Sequence, residues 1–476
     1  MKLRAACVLV VGTASGMSLA QGIDTLWTTN CSLCHGKLGQ GGGVAAKSLL
    51  GDAMLDQNLD RRFFDAIKGG NPNQGMPTFG KTMSDEQIWG LVVYVRELQT
   101  QDYRNRIGSP KPEAGVYTSR HASFHVETVA DTGMVVPWAM DFMPDGAVLI
   151  TERAGGLRIL RDGKLSEPIP GTPTVRNKGQ GGLMEVALHP KFKDNGWIYL
   201  AYADEIQSED RSLGMTKIVR GKLNDGAWTQ QETVFQAKPE HYLPTDIHFG
   251  CRIAFDPDDP TTLFFSIGER GMAPMAQDKS RPNGKIHRIR DDGSIPSSNP
   301  FVPDSTAYGS IWSYGHRNPQ GLVFDLDRQL WDTEHGPRGG DELNRIEQGD
   351  NYGWPIVSFG INYNGSPLKT PWTAKAPDGA DIRMPAYRWL PSIGACGLDV
   401  VRGPAFPAWK GDLLAGGLSG SNVDRIRVKD GAMVEREELL HGLGRVRDIS
   451  VAPDGTIYIA LNDPDKIIRL TPVDTR

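Results

Sequence analysis

The sequence predicts an all-β propeller of six blades, preceded by a small α-helical domain. Glycine and proline are abundant, with 56 and 32 residues in a chain of 476, which favours many short strands joined by tight turns. One strand-turn-strand phrase returns six times after about residue 124. Helical periodicity is instead confined to about the first hundred residues. The two architectures therefore follow one another along the chain.

Residues 1–20 are typical of a secretory signal peptide. Lys2 and Arg4 precede a short apolar run at 5–11, and residues 18–20 form a small-x-small cleavage site. The run is too short to cross a bilayer, and no later stretch approaches the roughly 18 apolar residues that a crossing helix needs. An uncleaved N-terminal anchor is the alternative. The sequence predicts an exported, periplasmic protein without a membrane span.

The charge balance argues against a polyanionic partner. The chain has 52 basic and 57 acidic residues, a formal net charge of -5, and no block of basic residues. A protein that follows a phosphate backbone needs such a block, so nucleic acid is excluded as a partner.

A C-x-x-C-H motif lies close to the N-terminus, at Cys31, Cys34 and His35. This is the attachment motif of c-type haem, in which both thiols bind the macrocycle and the histidine becomes an axial ligand of the iron. A redox-active C-x-x-C pair would not need His35. A zinc half-site would need a second Cys or His pair nearby, and none occurs before His121. The motif therefore predicts covalently bound haem c.

A second axial ligand is available at Met76, in a loop rich in glycine and proline. Taken alone, a methionine is more often core filler, but the C-x-x-C-H motif favours a ligand here. An amphipathic helix follows, with Ser84 and Gln87 forming a capping box. Its apolar face is expected to pack over the haem and consists of Ile88, Leu91, Val92, Val95 and Leu98.

Together with a helix expected at residues 22–30, these features resemble a small class I cytochrome c. The predicted cytochrome c domain occupies residues 21–100. Residues 101–123 are polar, contain proline and glycine, and lack periodicity, which is typical of a linker. The propeller is predicted from residue 124 to residue 476.

Each of the six recurring phrases is an alternating apolar strand, an Asp/Pro/Gly turn and a second strand. They begin at Pro137, Gly182, Gly250, Gln320, Cys396 and Val446. Repeats at this spacing, with several short strands each, predict a propeller of six blades. An ordinary β-sandwich is the alternative, but it does not require the same phrase six times.

Propellers bind ligands where the inner strands begin around the central channel, so the residues just before each phrase are candidates for a site. They are polar: Gln180, Asp246, His248, Arg252, His316, Arg317, Asn318, Arg445, Arg447 and Asp448. Several cations with one well-placed imidazole suit a small polyanionic ligand and a general base.

The phrases "HFGCRIAF", "SYGHRNPQGLVFD", "EHGPRGGDELNRIEQGDNYGWP" and "GRVRDISVAPDG" resemble the soluble sugar dehydrogenases that depend on pyrroloquinoline quinone (PQQ), the aldose or glucose dehydrogenase type. The resemblance extends over residues 124–472 in the same order. It implies that His248 is the general base, which takes the proton of the sugar C1 hydroxyl while hydride passes to PQQ.

The same resemblance implies ligands for PQQ and for calcium. The PQQ-binding residues would be Gln180, Arg317, Asn318, Arg445 and Arg447. The carbonyls of Gly336 and Pro337 would ligate the Ca²⁺ beside the quinone, and Glu342 with the Tyr352 carbonyl matches a second Ca²⁺ site of some members. Guanidinium forks suit carboxylates, and Ca²⁺ prefers hard oxygen ligands. Ser419 departs from the pattern, because many members carry a lysine there.

Structural roles remain possible for single residues. Arg445 or Arg447 could pair with Asp448, Gln180 could cap a turn, and His248 could be a satisfied core histidine. Export permits a disulfide between the two cysteines that haem does not use. Because those cysteines, Cys251 and Cys396, fall in blades that are not neighbours, we expect free buried thiols.

The two halves together predict a periplasmic quinohaemoprotein. It would oxidise the C1 hydroxyl of an aldose to a lactone and pass electrons through haem c to an external acceptor, a cytochrome or the quinone pool. One alternative is a non-catalytic, haem-bearing propeller that binds a glycan or a partner. Another is the same PQQ chemistry on a non-sugar alcohol.

Overall fold

Helices and strands occupy separate parts of the chain. The computed structural model describes residues 22–42, 47–51, 56–107, 110–368, 376 and 379–473, so the predicted signal peptide at 1–20 lies outside the described residues. The N-terminal helices are α1 (Ile23–Asn30), α2 (Ser32–His35), α3 (Asp60–Gly69) and α4 (Asp85–Ile107), and a single turn, α5 (Phe192–Asn195), lies in the β region. No helix of the described part is long and apolar enough to span a bilayer.

Helix α4 begins with the predicted capping box. The Ser84 N–H donates to Gln87 Oε1 at 2.9 Å, and the Gln87 N–H donates to Ser84 Oγ at 3.3 Å. The helix continues to Ile107, seven residues into the segment predicted as a linker. An ion pair between Asp102 and Arg106 (2.8 Å), one helical turn apart, supports this extension even though the apolar periodicity has ended.

The strands form six antiparallel sheets, which confirms the predicted six-bladed propeller. Before the first blade lie β1 (Val116–Thr118) and β2 (Ser123–Ala130). Blades 1 to 3 comprise β3 (Pro137–Phe142), β4 (Val148–Glu152), β5 (Leu157–Arg161), β6 (Lys164–Leu165); β7 (Leu183–Leu188), β8 (Ile198–Ser208), β9 (Arg211–Asn224), β10 (Ala227–Gln236); and β11 (Ile253–Phe255), β12 (Thr262–Ile267), β13 (Lys285–Arg290), β14 (Ile311–Tyr314). Blades 4 to 6 comprise β15 (Pro319–Phe324), β16 (Leu330–Glu334), β17 (Asp341–Ile346), β18 (Tyr387–Trp389); β19 (Ala395–Val400), β20 (Leu413–Gly417), β21 (Asn422–Lys429), β22 (Ala432–His441); and β23 (Arg445–Val451), β24 (Ile457–Asn462), β25 (Lys466–Pro472).

Each recurring phrase of the sequence supplies the two inner strands of one blade. The ring closes because β2 pairs with β25, so that Phe124 lies opposite Pro472 and the last blade contains the first long strand. This closure leaves the propeller without an open junction between its first and last blades. β1 and the first residue of β2 fall within residues 101–123, which the sequence predicted as a linker.

Aspartates on inner strands tie neighbouring blades together. Asp448 in blade 6 accepts a hydrogen bond from the Met140 N–H in blade 1, at 2.9 Å. Asp399 in blade 5 does the same for the Val451 N–H in blade 6, at 2.7 Å. Because these carboxylates are buried, each satisfies a backbone donor that would otherwise lose its hydrogen bond to water.

Helix α4 is buried between the small domain and the propeller. The predicted face, Ile88 to Leu98, is buried as expected. Trp89 on another side is also fully buried, and its Nε1 donates to the Phe359 carbonyl at 3.2 Å. Phe359 belongs to the segment between β17 and β18, which packs with Val357 and Ile361 against the helix. The small domain is therefore docked on blade 4 through an apolar core of its own.

A buried ionic cluster crosses the same interface. Asp60 of α3 is 1% exposed and accepts a hydrogen bond from Arg96 Nε at 2.6 Å. Its other oxygen accepts from Arg388, which belongs to β18 of the propeller. One carboxylate thus joins a guanidinium from each domain, and removing it would leave both cations without their partner.

Candidate active site

A cavity of about 460 Å³ opens at the end of the propeller channel. Its lining includes Gln180, Arg445 and Arg447 among the predicted PQQ ligands, and Gly336 and Pro337 among the predicted calcium ligands. Gln180, Arg445 and Arg447 come from the starts of inner strands or from the loops before them, as the propeller pattern predicts, whereas Gly336 and Pro337 follow the end of β16. The tertiary fold therefore brings residues as far apart in sequence as Gln180 and Arg447 to one cavity.

His248 is positioned by two hydrogen bonds. Its Nδ1 lies 2.5 Å from Glu269 Oε1, and its backbone N–H donates to Gln180 Oε1 at 2.8 Å. The backbone adopts φ of 54°, a conformation that non-glycine residues rarely hold without such support. Among the described residues no partner occupies Nε2, so this nitrogen is available as a proton acceptor.

The surroundings of His248 favour the neutral imidazole. Burial lowers the pKa of His248; the hydrogen bond to Glu269 opposes this shift, and the nearby Arg317 cation reinforces it. The Glu269 N–H in turn donates to the Arg317 carbonyl at 2.8 Å. This hydrogen bond links the backbone that carries the carboxylate to the backbone that carries the arginine. A neutral imidazole oriented by a carboxylate is the arrangement that a general base needs.

Arg317 and Asn318 lie close to the segment that carries His248. The Arg317 N–H donates to Glu334 Oε2 at 2.6 Å, and its guanidinium lies 5.2 Å from the centre of the Trp354 ring. Asn318 Oδ1 accepts from the Gly250 N–H at 3.1 Å, which anchors the segment that follows His248. The structure therefore brings together His248, Arg317 and Asn318.

The two remaining arginines approach from blade 6. Arg447 is buried, with its guanidinium 4.0 Å from the centre of the Trp138 ring. Arg445 is more exposed and lies 3.8 Å from Asp463. Neither arginine pairs with Asp448, which instead binds Arg252 at 2.9 Å. Both guanidinium groups therefore line the cavity, and Asp448 forms an ion pair with neither of them.

Several buried polar atoms at the candidate site have no hydrogen-bond partner among the described residues. They are Arg317 Nε, Asn318 Nδ2 and Arg447 Nε, with His335 Nε2 beside them. Arg447 and His335 line the cavity, and Arg317 and Asn318 are hydrogen-bonded to residues of its wall. A buried donor without a partner costs free energy, so this set calls for a ligand that supplies several anionic or carbonyl oxygens. PQQ, a flat tricarboxylic acid with quinone carbonyls, fits that donor set.

His335 is a site residue that the sequence reasoning missed. It lines the cavity, and burial, followed by Arg317 and His248, lowers the pKa of His335 to about 3, so its imidazole is neutral. The quoted phrase "EHGP" contains this histidine directly before the predicted calcium ligands. Glu269 was missed as well, because it follows a strand's end and carries no motif of its own.

The predicted calcium carbonyls belong to a tightly held loop. The Gly336 N–H donates to Asp341 Oδ1 at 2.9 Å, and the Pro337 carbonyl accepts from Ser392 Oγ at 3.0 Å. A Cβ added to Gly336 would lie 2.2 Å from the Gly340 carbonyl oxygen, so this position requires glycine. The Gly336 carbonyl accepts from Arg317 Nη1 at 2.9 Å, so Ca²⁺ at this carbonyl would take the place of the guanidinium. Carbonyl oxygens at the cavity wall are ligands of the kind that Ca²⁺ takes.

The residues predicted for a second calcium lie deeper in blade 4. Glu342 and Tyr352 line a cavity of about 10 Å³ together with Glu334. Nearby, Asp332 is fully buried; neither of its carboxylate oxygens has a hydrogen-bond partner among the described residues, and Oδ2 lies 3.8 Å from His316 Nδ1. Burial and the Glu334 charge raise the pKa of both Asp332 and Glu342 well above their usual range. Crowded buried carboxylates of this kind fit a divalent cation.

Of the ten polar residues noted near the channel, Gln180, Arg445 and Arg447 line the cavity. His248, Arg317 and Asn318 are hydrogen-bonded to residues of its lining but do not belong to the lining themselves. The others are engaged elsewhere in the fold. Asp246 pairs with Arg176 at 2.7 Å, and Arg252 is buried between Glu185 and Asp448. His316 stays inside blade 4, with Nδ1 3.2 Å from Glu334 Oε1. The pattern could not separate them from the cavity residues, because a buried charge near a channel needs a partner whether or not a ligand binds.

Ser419 occupies the position where many members of the family carry a lysine, and it lines the cavity with a hydroxyl only.

The two cysteines that haem does not use lie in the propeller. Cys251 and Cys396 are free and buried, as expected. The Cys396 thiol lies 3.0 Å from the Arg447 carbonyl, so it supports the strand that carries this arginine.

The haem-binding motif spans the junction of α1 and α2. Cys31 is the capping residue between α1 and α2, and Cys34 and His35 lie in the single turn of α2. Burial and the neighbouring Cys34 raise the pKa of Cys31 to about 11, while burial lowers the pKa of His35 and favours the neutral, ligating imidazole. Met76 lies in the loop after α3, held by paired backbone hydrogen bonds with Asn71 at 2.9 and 3.1 Å. These donors fit haem c.

Comparisons with known proteins agree with both parts. A family model described as Glucose / Sorbosone dehydrogenase matches residues 134–469, and one described as cytochrome C oxidase, cbb3-type, subunit III matches residues 19–95. The aldose sugar dehydrogenase YliI of Escherichia coli (strain K12) is 38% identical over 358 residues, covering 74% of this chain and 94% of that protein.

Solved structures show the same relationship. The soluble aldose sugar dehydrogenase of Escherichia coli in its apo form aligns with a TM-score of 0.67 and 36% identity, over 74% of this chain and 100% of that one. The PQQ-bound aldose sugar dehydrogenase of Streptomyces coelicolor aligns with a TM-score of 0.58 and 27% identity, over 74% and 99%. The chain therefore belongs to the glucose/sorbosone dehydrogenase family of PQQ-dependent sugar dehydrogenases and carries an N-terminal cytochrome c domain.

Proposed function

We propose that this protein oxidises the C1 hydroxyl of aldose sugars to lactones in the periplasm, and that its haem delivers the electrons to an external acceptor. The observation that carries the proposal is the position of His248, which is oriented by Glu269 and is hydrogen-bonded through its N–H to Gln180 of the cavity wall. Buried polar atoms without a partner lie in the same part of the propeller. Oxidation removes a hydride and a proton from the sugar, so the site must hold a hydride acceptor and a base together.

His248 takes the proton. Its Nε2 accepts the C1 hydroxyl proton, and the Glu269 carboxylate at Nδ1 stabilises the imidazolium that results. Because burial keeps His248 neutral beforehand, the base form is present when the sugar arrives.

The cofactors would be held by groups of known chemistry. Gln180, Arg317, Asn318, Arg445 and Arg447 would bind PQQ, with the guanidinium groups on its carboxylates. When bound, PQQ accepts hydride, Ca²⁺ on the Gly336 and Pro337 carbonyls polarises the accepting carbonyl, and haem c provides a one-electron outlet. Glu342 and the Tyr352 carbonyl would hold a second, structural Ca²⁺.

The haem would be bound covalently by Cys31 and Cys34, with His35 and Met76 as axial ligands of its iron. The docking of the two domains supports a direct transfer between the two sites. Glu97 of α4 lines the same cavity as Pro337, and the apolar contacts of Trp89 hold that helix against blade 4. A tethered and docked haem domain acts at high effective concentration.

A reconstitution experiment tests the proposal. Purified protein with haem attached is loaded with PQQ and Ca²⁺, glucose is added under argon, and the haem absorption bands and the lactone are followed by spectroscopy and NMR. We expect lactone and reduced haem together. His248→Ala should lower the rate by roughly 10²–10⁴. The exposed His121, which pairs with Glu435, supplies the matched control His121→Ala.

The outcomes separate the parts of the proposal. Lactone with a dye as acceptor but oxidised haem would contradict the intramolecular transfer. An unchanged rate in His248→Ala would contradict the base. Turnover of simple alcohols without turnover of any aldose would favour the same chemistry on a different substrate, and binding without any turnover would favour a non-catalytic role.

A further inference from the structure

Arg270 is a fully buried cation that does not line the active-site cavity. It directly follows Glu269, the carboxylate that orients His248. Its three nitrogens all donate to backbone carbonyls: Nε to Ile247 at 2.9 Å, Nη1 to Gly214 at 2.6 Å and Nη2 to Thr245 at 2.5 Å. A buried charge is costly unless it is hydrogen-bonded, so these carbonyls hold the guanidinium in one place.

Two of the three acceptors lie in the segment that leads into His248. Among the described residues, Arg270 is the only donor to the Thr245 and Ile247 carbonyls. The third acceptor, Gly214, belongs to β9 of blade 2. The guanidinium therefore ties the backbone just before His248 to a strand of another blade.

Arg270 also contacts the residue that follows His248. The guanidinium carbon lies 3.5 Å from the centre of the Phe249 ring, and both side chains are buried. A desolvated cation over an aromatic face is attracted to it. The Phe249 carbonyl accepts from Thr216 Oγ1 at 2.6 Å, so the ring is carried by a fixed backbone. Arg270 thus holds the chain on both sides of His248.

The contact between the two segments is reciprocal. The Thr245 hydroxyl donates to the Arg270 carbonyl at 2.6 Å, while the Arg270 guanidinium donates to the Thr245 carbonyl. Both His248, with φ of 54°, and Arg270, with φ of 61°, adopt the left-handed backbone conformation. Residues other than glycine keep that conformation only where the surrounding contacts enforce it. These hydrogen bonds are such contacts.

We propose that Arg270 is a positioning residue for the general base. It fixes the backbone around His248 and the backbone next to Glu269, so that His248 Nδ1 stays 2.5 Å from Glu269 Oε1. The proposal rests on the proposed function, because it takes His248 as the group that accepts the sugar proton. Since Arg270 lies outside the cavity lining, its loss should slow proton transfer and leave the binding of sugar and PQQ unchanged.

Two variants separate the donors of Arg270 from its charge. Arg270→Met removes all three donating nitrogens and keeps a long side chain, and Arg270→Lys keeps the charge on a single nitrogen. In the full-length protein loaded with PQQ and Ca²⁺, we expect kcat for glucose to fall about 10–100-fold in Arg270→Met and by a smaller factor in Arg270→Lys. KM and the Kd of PQQ should stay within about twofold, as a displaced base predicts. Dye-coupled rates and fluorescence titration measure these constants.

Proton NMR gives a readout that does not depend on turnover. The full-length protein is studied with its haem reduced, so that the iron is diamagnetic. A proton in a short hydrogen bond to a carboxylate resonates far downfield, and the His248 Nδ1 proton is identified by its absence in His248→Ala. In both Arg270 variants this signal should move upfield or disappear.

Lys285→Met is the matched control. Lys285 is also fully buried in blade 3, and its Nζ donates to the carbonyls of Met275, Ala276 and Asn283 at 2.6 to 2.9 Å. Its loss therefore removes a similar buried cation at a distance in sequence from the base. Lys285→Met should lower the urea midpoint and leave kcat and the His248 signal unchanged.

The outcomes distinguish this proposal from the proposed function. An unchanged kcat or an unchanged His248 signal in the folded Arg270 variants would overturn the positioning role, and so would equal losses in Lys285→Met. If Arg270→Met does not fold, Arg270→Lys decides by the same two measurements. A large loss of rate in His248→Ala without any loss in the Arg270 variants refutes the positioning role alone. An unchanged rate in His248→Ala refutes the assigned base as well.

Discussion

Glu97 of α4 and Arg338 of the propeller form a bidentate ion pair at the rim of the active-site cavity, with N···O distances of 2.9 and 2.8 Å. Arg338 directly follows the predicted calcium ligand Pro337. The pair therefore connects the helix of the haem domain to the loop that forms the cavity wall. The side chains are 20% and 27% exposed, so water weakens the attraction without abolishing it.

A double-mutant cycle with Glu97→Ala and Arg338→Ala should give a coupling free energy of about 1 kcal/mol, near the upper end for partly exposed pairs because the geometry is bidentate. Urea unfolding followed through the haem band measures it. The coupling should shrink in 1 M salt, where screening is strong. A coupling of zero at low salt would contradict a role for this pair in docking.

The buried Asp60 should matter far more for stability. Asp60→Asn leaves Arg96 and Arg388 without their anionic partner, and breaking a buried pair in this way costs about 3–5 kcal/mol. Urea unfolding of the holoprotein measures the change. Asp65→Asn, which breaks the exposed pair with Arg61, is the matched control and should cost less than about 1 kcal/mol. Equal effects of the two variants would contradict the structural role of Asp60.

The pH dependence of sugar oxidation should follow His248. Its pKa is lowered, so the neutral base persists below the usual 6.5 and kcat/KM should fall only at more acidic pH. Glu269 raises this pKa; Glu269→Gln should move the acidic limb to still lower pH while reducing the maximal rate about 10–100-fold, as for other orienting partners. Dye-coupled rates from pH 4 to 8 test this. An acidic limb that moves to higher pH would contradict the assignment.

The Gly336 loop should not tolerate a side chain. Gly336→Ala places a methyl group 2.2 Å from the Gly340 carbonyl oxygen, so the loop must shift and carry its carbonyls with it. We expect the apparent affinity for PQQ in the presence of Ca²⁺ to fall at least about tenfold, since small misplacements of this kind are costly. Fluorescence titration measures it. Gly69→Ala, where the added methyl meets no atom within 4 Å, is the control and should bind normally.

The free thiols should be unreactive in the folded protein. Cys251 and Cys396 are buried, and burial raises the pKa of the Cys251 thiol, so little nucleophilic thiolate exists there. Iodoacetamide followed by mass spectrometry should label both cysteines after denaturation and neither before it. Rapid labelling of the native protein, or the absence of label after denaturation without reductant, would contradict free buried thiols.

Local patterns were sufficient for much of the architecture. The six phrases predicted the six blades, because an alternating strand with a tight turn depends on neighbouring residues only. The capping box predicted the start of α4 from Ser84 and Gln87. The end of α4 was predicted too early, since Asp102 and Arg106 extend the helix through a pair that has no apolar periodicity.

The sequence by itself determined the chemistry that is present: a C-x-x-C-H motif, a base candidate in His248 and arginines before inner strands. The tertiary structure decided which of these groups meet. Arg447 reaches the cavity while Arg252, of the same residue type, is neutralised inside the channel. Whether a buried charge is paired depends on side chains from other blades. Whether α4 borders the site depends on the contacts of Trp89 and Asp60 with the propeller. The spacing of residues along the chain encodes neither of these.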